Sequence, residues 1–319
     1  MKPTANLPTT NYSPTKGYIA AMAAAVIWGV NGTMMQFLVT DRAINIEWLI
    51  CLRLLVPGII LLIMAWMSPR VGAQKLFSIW HRRKDVIALL IFSIGLMGVQ
   101  YTFIAAIKAS NAATAVVIQF TAPVLVVVYY ALKKRTWPAA KQWLAILLAL
   151  LGTFFLVTKG NIYQIALSGA AVGWGLASSF ALAFYSVQPI RLLKEYSAFT
   201  VTGWGMLIGA LWMSFFHTPW DVEGIWDSYT VVFFIFILLF GGLIAFTLYL
   251  SSVKIIGAYK TTLLISIEPL TVAILSICWL QMAFGLSDLL GAVCILSTIF
   301  LLTRKNAKLR PFRKKQLQK

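Results

Sequence analysis

Residues 229–253 read YTVVFFIFILLFGGLIAFTLYLSSV, 25 consecutive positions without a charged side chain. A helix rises about 1.5 Å per residue, so about 20 residues cross the roughly 30 Å hydrocarbon core of a bilayer. Lipid offers no partner to backbone N–H and C=O groups, so a span must be a helix or part of a closed barrel. A run this long, without alternation of apolar and polar positions, is a helix. Nine runs of the same character lie at 17–39, 45–67, 86–107, 111–132, 139–157, 168–190, 199–217, 258–279 and 286–303. Composition agrees. The chain of 319 residues is 60% hydrophobic and 11% charged, where a soluble domain carries about 25% charged residues. It therefore reads as an all-α polytopic membrane protein with ten transmembrane helices.

The charges orient it. If the N-terminus is cytoplasmic, the inner segments hold 23 Lys and Arg residues and the outer ones only Arg42, Lys108 and Lys159. That asymmetry is the positive-inside rule, and it places both termini in the cytoplasm of a plasma-membrane protein. A net charge of +18 is compatible with nucleic-acid binding, but the basic residues sit between apolar runs and in the tail. They do not line one face as a phosphate footprint requires. Cys51, Cys278 and Cys294 all fall inside apolar runs and read as packing residues, with no metal spacing among them. Asp221, Glu223 and Asp227 share the longer outer loop with Trp220, Trp226 and Tyr229. A solvated connector is the preferred reading of that loop over a substrate-gathering surface.

The chain repeats itself. At an offset of 152, Gly17 falls on Gly169, Ala25 on Ala177 and Gln36 on Gln188. At 146, Gly95 falls on Gly241, Lys108 on Lys254, Ala112 on Ala258 and Pro123 on Pro269. The expected organisation is a cytoplasmic tail over 1–16, a first repeat over 17–157, a second over 168–303 and a basic cytoplasmic tail over 304–319. Five helices per repeat make the copies enter the membrane from opposite sides, an architecture that supports alternating access in secondary transporters.

Trp28-Gly29 in the first run, Arg53 in the second, Pro123 in the fourth and Glu268-Pro269 in the ninth resemble the EamA-like branch of the drug/metabolite transporter superfamily. The likeness covers roughly residues 17–305. It implies a ten-helix transporter with a central cavity, moving amino acids, other small metabolites or toxic compounds, often outward. One departure is clear. Where members carry Gly-Glu near the ends of the fourth and ninth helices, this chain has Arg135-Thr136 and Gln281-Met282, so no role of those glutamates carries over.

Polar groups in lipid are costly and usually face a cavity or another helix. Glu268 is the one acid placed at mid-membrane. It could bind a substrate amine or take up a coupling proton; alternatively it pairs with Arg53, the one basic residue deep in a run, or caps local backbone. Pro269 and Pro123 should break their helices and free the carbonyls of Ile265 and Gln119. Thr261, seven residues before Glu268, should share its face. Trp28 and Asn31 lie on one face of the first helix; Trp174, Ser178 and Tyr185 form a stripe on the sixth. Gln100, Gln119 and Tyr249 complete the candidate cavity, although packing is the commoner role for any aromatic here.

An enzyme is the main rival class. His81 and His217 fall on opposite sides, and no nucleophile-elbow or phosphate-binding motif accompanies them. The expectation is a secondary active transporter of an amino acid or amine-like metabolite, with efflux as the expected direction. It needs no metal or other cofactor and draws on a proton or other ion gradient. Uptake of a choline-like cation and a non-transporting sensor or scaffold stand as alternatives. Its expected partners are a small-molecule substrate and the bilayer; oligomeric state does not follow from the sequence.

Overall fold

The computed structural model describes residues 13–69, 71–110, 112–161, 163, 168–278, 285–303 and 310–311. Both terminal tails therefore fall almost entirely outside the described residues, as do Gln281-Met282 and the side chain of Cys278. The first part of the chain forms α1 (Pro14–Gln36), α2 (Ile46–Met67), α3 (Gly72–Phe77), α4 (Arg83–Ala109), α5 (Ala112–Gln119), α6 (Ala122–Lys134) and α7 (Ala140–Thr158). The second forms α8 (Gly169–Val187), α9 (Ile190–Glu195), α10 (Ala198–Ser214), α11 (Ser228–Phe236), α12 (Ala245–Ile256), α13 (Ala258–Leu264), α14 (Ile267–Cys278) and α15 (Leu286–Thr303). A π-helix over Ile237–Ile244 joins α11 to α12, and a shorter one over Phe37–Asp41 ends α1. The one strand pairing among the described residues is two residues long, Thr136–Trp137 against Arg310–Pro311. The protein is an all-α, multi-pass membrane protein.

Among the described residues, seven helical stretches are long and apolar enough to cross a membrane: 14–41, 46–67, 83–109, 114–133, 140–158, 169–195 and 228–256. Apolar helices at 198–214 and 289–301 are shorter, and the run 258–279 is split between α13 and α14. Helix starts follow local chemistry, because the first turn's N–H groups need acceptors. Asn45 accepts from Trp48 N at 3.1 Å, Ser168 from Ala171 N at 3.0 Å, Ser197 from Thr200 N at 3.0 Å and Asp227 from Thr230 N at 2.8 Å. Asn45 and Ser197 are 152 residues apart, so the repeat extends to the caps.

The two broken helices are where the fold departs from uniform spans. α5 stops at Gln119 and α6 restarts at Ala122; α13 stops at Leu264 and α14 restarts at Ile267. Pro123 and Pro269 stand in the first turns of α6 and α14, where a missing N–H is tolerated. The expected free carbonyl at Ile265 is corrected by the structure, since Glu268 N donates to it at 2.7 Å. The tighter turn takes up the acceptor that proline left. The break also corrects the shared face of Thr261 and Glu268. Thr261 turns instead to Ser252 Oγ, 2.9 Å away.

The main helix packings cross between the two parts of the chain: α4 on α8, α1 on α12 and α14, α2 on α10, and α7 on α15. Small residues permit the closest of these. At the α7–α15 crossing a Cβ on Gly152 would lie 3.0 Å from the Gly291 carbonyl oxygen, and one on Gly291 would lie 3.0 Å from that of Gly152.

Candidate functional site

A cavity of about 510 Å³ lies where α1, α2, α4, α5, α8, α12 and the α13–α14 break converge. Trp28 and Asn31 reach it from α1, as their shared face requires, and Arg53 from α2. Gln100 enters from α4, Gln119 from the end of α5, Tyr185 from α8 and Glu268 from the first turn of α14. Of Trp28, Asn31, Arg53, Gln100, Gln119, Tyr185, Tyr249 and Glu268, seven thus border one space.

Tyr249 is the exception. It stands behind the wall, its ring stacked on Tyr185 at 5.4 Å with 19° between planes, its hydroxyl 2.5 Å from Ser186 Oγ. The stripe on α8 also divides. Ser178 is buried and accepts from Gln119 Nε2 at 2.6 Å, whereas Trp174 is 38% exposed and meets Tyr101 edge-on. Helical spacing kept these side chains near one face, but α8 packs against both α4 and α5, so Trp174 meets Tyr101 and Ser178 meets Gln119. Ser179, which had no distinguishing signal in sequence, pairs with Thr121 at 2.7 Å. With Ser178 it fastens the α5–α6 break to α8.

The chemistry of the cavity lies in what its polar atoms lack. Buried polar groups are nearly always hydrogen-bonded. Here Asn31 Oδ1, Arg53 Nε, both amide atoms of Gln100 and the Tyr185 hydroxyl are buried with no partner. The Glu268 carboxyl, in a residue only 5% exposed, has no hydrogen bond or ion pair among the described residues. A contact ion pair with Arg53, one of the readings open for Glu268, is not present among the described residues. Arg53 instead lies with its guanidinium 5.6 Å from the Phe246 ring centre and Nη1 3.6 Å from Met35 Sδ. Glu268 occupies the first turn of α14, where the helix dipole favours a negative charge. A basic and an acidic side chain thus border one cavity without an ion pair between them.

The remaining walls are apolar: Val99 and Phe103 on α4, Leu182 on α8, Phe246 on α12 and Ile265 at the break. Sequence reasoning missed these, because nothing separates them from the chain's other apolar residues. Trp28 uses its N–H on the Gly241 carbonyl at 3.1 Å and packs edge-on against Phe246 at 5.0 Å. A ring, not a donor, is what it offers the cavity. Elsewhere, His217, Asp221 and Glu223 cluster between α10 and α11, and none of them lines this cavity.

The helical bundle and the family to which it belongs define the class as a membrane transporter. The EamA-like transporter family model matches residues 15–158 and again 169–304, and the chain belongs to that family, within the drug/metabolite transporter superfamily. It is 39% identical over 292 residues to the uncharacterized inner membrane transporter YicL of Salmonella typhimurium, covering 91% of this chain and 96% of that one. It is 23% identical over 205 residues to the uncharacterized transporter YyaM of Bacillus subtilis, covering 61% and 66%. A solved crystal structure shares the fold with a TM-score of 0.70 at 17% identity, covering 91% of this chain and 97% of that chain.

Proposed function

We propose that the protein is a secondary active transporter of a small zwitterion, an amino acid or close relative, working by alternating access in the plasma membrane with both termini cytoplasmic. One observation carries the substrate class: Arg53 on α2 and Glu268 on α14 border the same cavity without an ion pair between them. A carboxylate meets the guanidinium and an ammonium meets the carboxyl, so one ligand satisfies both charges. Gln100, Asn31 and the Tyr185 hydroxyl supply further hydrogen bonds, and Phe103, Phe246 and Leu182 accept an apolar side chain. A choline-like cation fits less well, since it brings no anion for Arg53. Efflux is the proposed direction, with a proton on Glu268 as the coupling ion when the site is empty.

The ten-span count and the inverted repeat belong to the same proposal. Exchange α1 with α8, α2 with α10, α4 with α11–α12, α5–α6 with α13–α14 and α7 with α15. Packing of α4 on α8 then becomes packing of α12 on α1, and α5–α6 on α8 becomes α13–α14 on α1. The pairs α2–α10 and α7–α15 return to themselves. This agreement supports a two-fold relation between the repeats, with the broken helices as its matching elements. Counterflow of labelled L-phenylalanine and L-leucine, with choline as comparison, tests the reading in proteoliposomes. Saturable exchange of an amino acid, abolished in Arg53→Gln, is expected. Exchange of choline alone, or of none of the three, would refute it.

A further inference from the structure

Part of the cavity wall is set by two residues that do not line it. A π-helix is wider than an α-helix, displaces carbonyls from their usual partners, and recurs at functional sites. Within the π segment Ile237–Ile244, the Gly241 carbonyl accepts the Trp28 indole N–H at 3.1 Å. A Cβ on Gly241 would fall on the side-chain amide of Asn31. A Cβ on Gly242 would lie 2.9 Å from Pro57 Cγ and 3.3 Å from the Arg53 carbonyl oxygen. Three cavity residues, Trp28, Asn31 and Arg53, thus rest on two adjacent glycines.

The corresponding crossing of the first repeat is built differently. Gly95, which matches Gly241 at the offset of 146, lies inside the regular helix α4. The Phe184 ring covers it, 2.8 Å from where a Cβ would stand. One crossing is closed by a hydrocarbon ring. The other carries an amide whose Oδ1 has no partner.

We infer that Gly241 is a specificity-determining positioning residue: its carbonyl and its bare Cα hold Trp28 and Asn31 so that the Asn31 amide meets a polar group of the substrate. The inference rests on the zwitterion reading of the cavity. What a Cβ would strike is the end of a short side chain, not backbone, so alanine here displaces the amide and leaves the helices in place.

Gly241→Ala, Asn31→Ala and the double variant are compared with wild type for L-phenylalanine counterflow in proteoliposomes and for melting temperature. Losing one well-placed hydrogen bond should raise KM of Gly241→Ala about tenfold at similar kcat, with melting unchanged. In the Asn31→Ala background the same change should add nothing. An unchanged KM, or an equal loss in both backgrounds, would overturn the inference. If wild type does not carry L-phenylalanine, the zwitterion reading fails and thiol labelling decides this one separately. In protein lacking the native cysteines, Asn31→Cys should react with a small methanethiosulfonate faster when Gly241→Ala pushes the thiol off the glycine and into the cavity. Equal labelling rates would overturn it.

Discussion

Gly29 and Glu268 meet where α1 crosses α14: a Cβ on Gly29 would lie 2.8 Å from the Glu268 carbonyl oxygen and 3.0 Å from Thr271 Cβ. The obstacle is helix backbone, which has nowhere to go. Gly29→Ala should therefore push α14 away and destabilise the protein by about 1–3 kcal/mol, the usual cost of overpacking. Three residues on, Gly32 has open space around its Cα. Gly32→Ala should melt like wild type, and equal melting of the two variants would refute the crossing argument.

Arg53 and Glu268 share a cavity but not a bond, so Glu268→Gln should leave Arg53 as it was. The variant is expected to melt near wild type and to lose most flux, at least about tenfold if a charged contact of about 1.5–3 kcal/mol is removed. A matching fall in melting temperature, reversed by adding Arg53→Gln, would show instead that the two form a structural pair. A stable, fully active Glu268→Gln protein would defeat both accounts.

At the start of α4, Asp85 is 1% exposed, accepts from the Tyr196 hydroxyl at 2.8 Å and pairs with Arg191 at 2.7 Å. It ties α4 to the α9–α10 junction. Asp85→Asn should cost about 1–3 kcal/mol through the partners it leaves unsatisfied. Arg82→Gln, which breaks the exposed pair with Glu195 at 2.6 Å, should cost at most about 1 kcal/mol. Chemical denaturation of the purified variants ranks them, and a reversed order would be inconsistent with the burial argument.

The loop between α10 and α11 is held by Asp227, whose carboxylate caps α11 through Thr230 and pairs with Arg42 at 2.7 Å. The Thr230 hydrogen bonds first, and Arg42 after them, hold its carboxyl below the usual carboxylate value of 3.8. A lowered folded-state value means the stabilisation is complete above about pH 4 and fades as pH falls through the lowered value. Thiol labelling of Ile225→Cys should accelerate only under strongly acid conditions. Acceleration between neutrality and pH 5 would count against Asp227 as the fastening group.

The same loop tests orientation. Gly224 is unsuited to a reporter cysteine, because its φ of +96° and the Arg42 carbonyl 2.8 Å from a would-be Cβ both oppose a side chain. Val222, 56% exposed, serves instead. In protein lacking the native cysteines, Val222→Cys should label from outside intact cells and Gln74→Cys should not; the opposite pattern would invert the topology.

Much of the cavity could be read in advance because lipid makes polar residues conspicuous. Asn31, Gln100, Gln119 and Glu268 stood out as amides and an acid within apolar runs, and the structure brings them to one space. Phe103 and Phe246 carried no such mark, since any of 20 phenylalanines satisfies lipid, core or cavity equally. The prolines announced both helix breaks, but not that the chain would turn at Ile265 and send Thr261 toward Ser252. Tyr249 shows the limit of composition: a buried tyrosine needs a hydroxyl partner, and Ser186 supplies it one layer behind the wall.

Because α4 finds its main partner in α8, α1 in α12 and α14, α2 in α10 and α7 in α15, each of 14–158 and 168–303 packs mainly against the other. During synthesis the leading five-run segment must wait in the bilayer, its crossing glycines facing lipid, until the trailing segment arrives. Maturation is thus a joining of two incomplete pieces. Severed at the connection near residue 163 and expressed from separate messages, the fragments should assemble together, whereas either alone should be cleared by quality-control proteases.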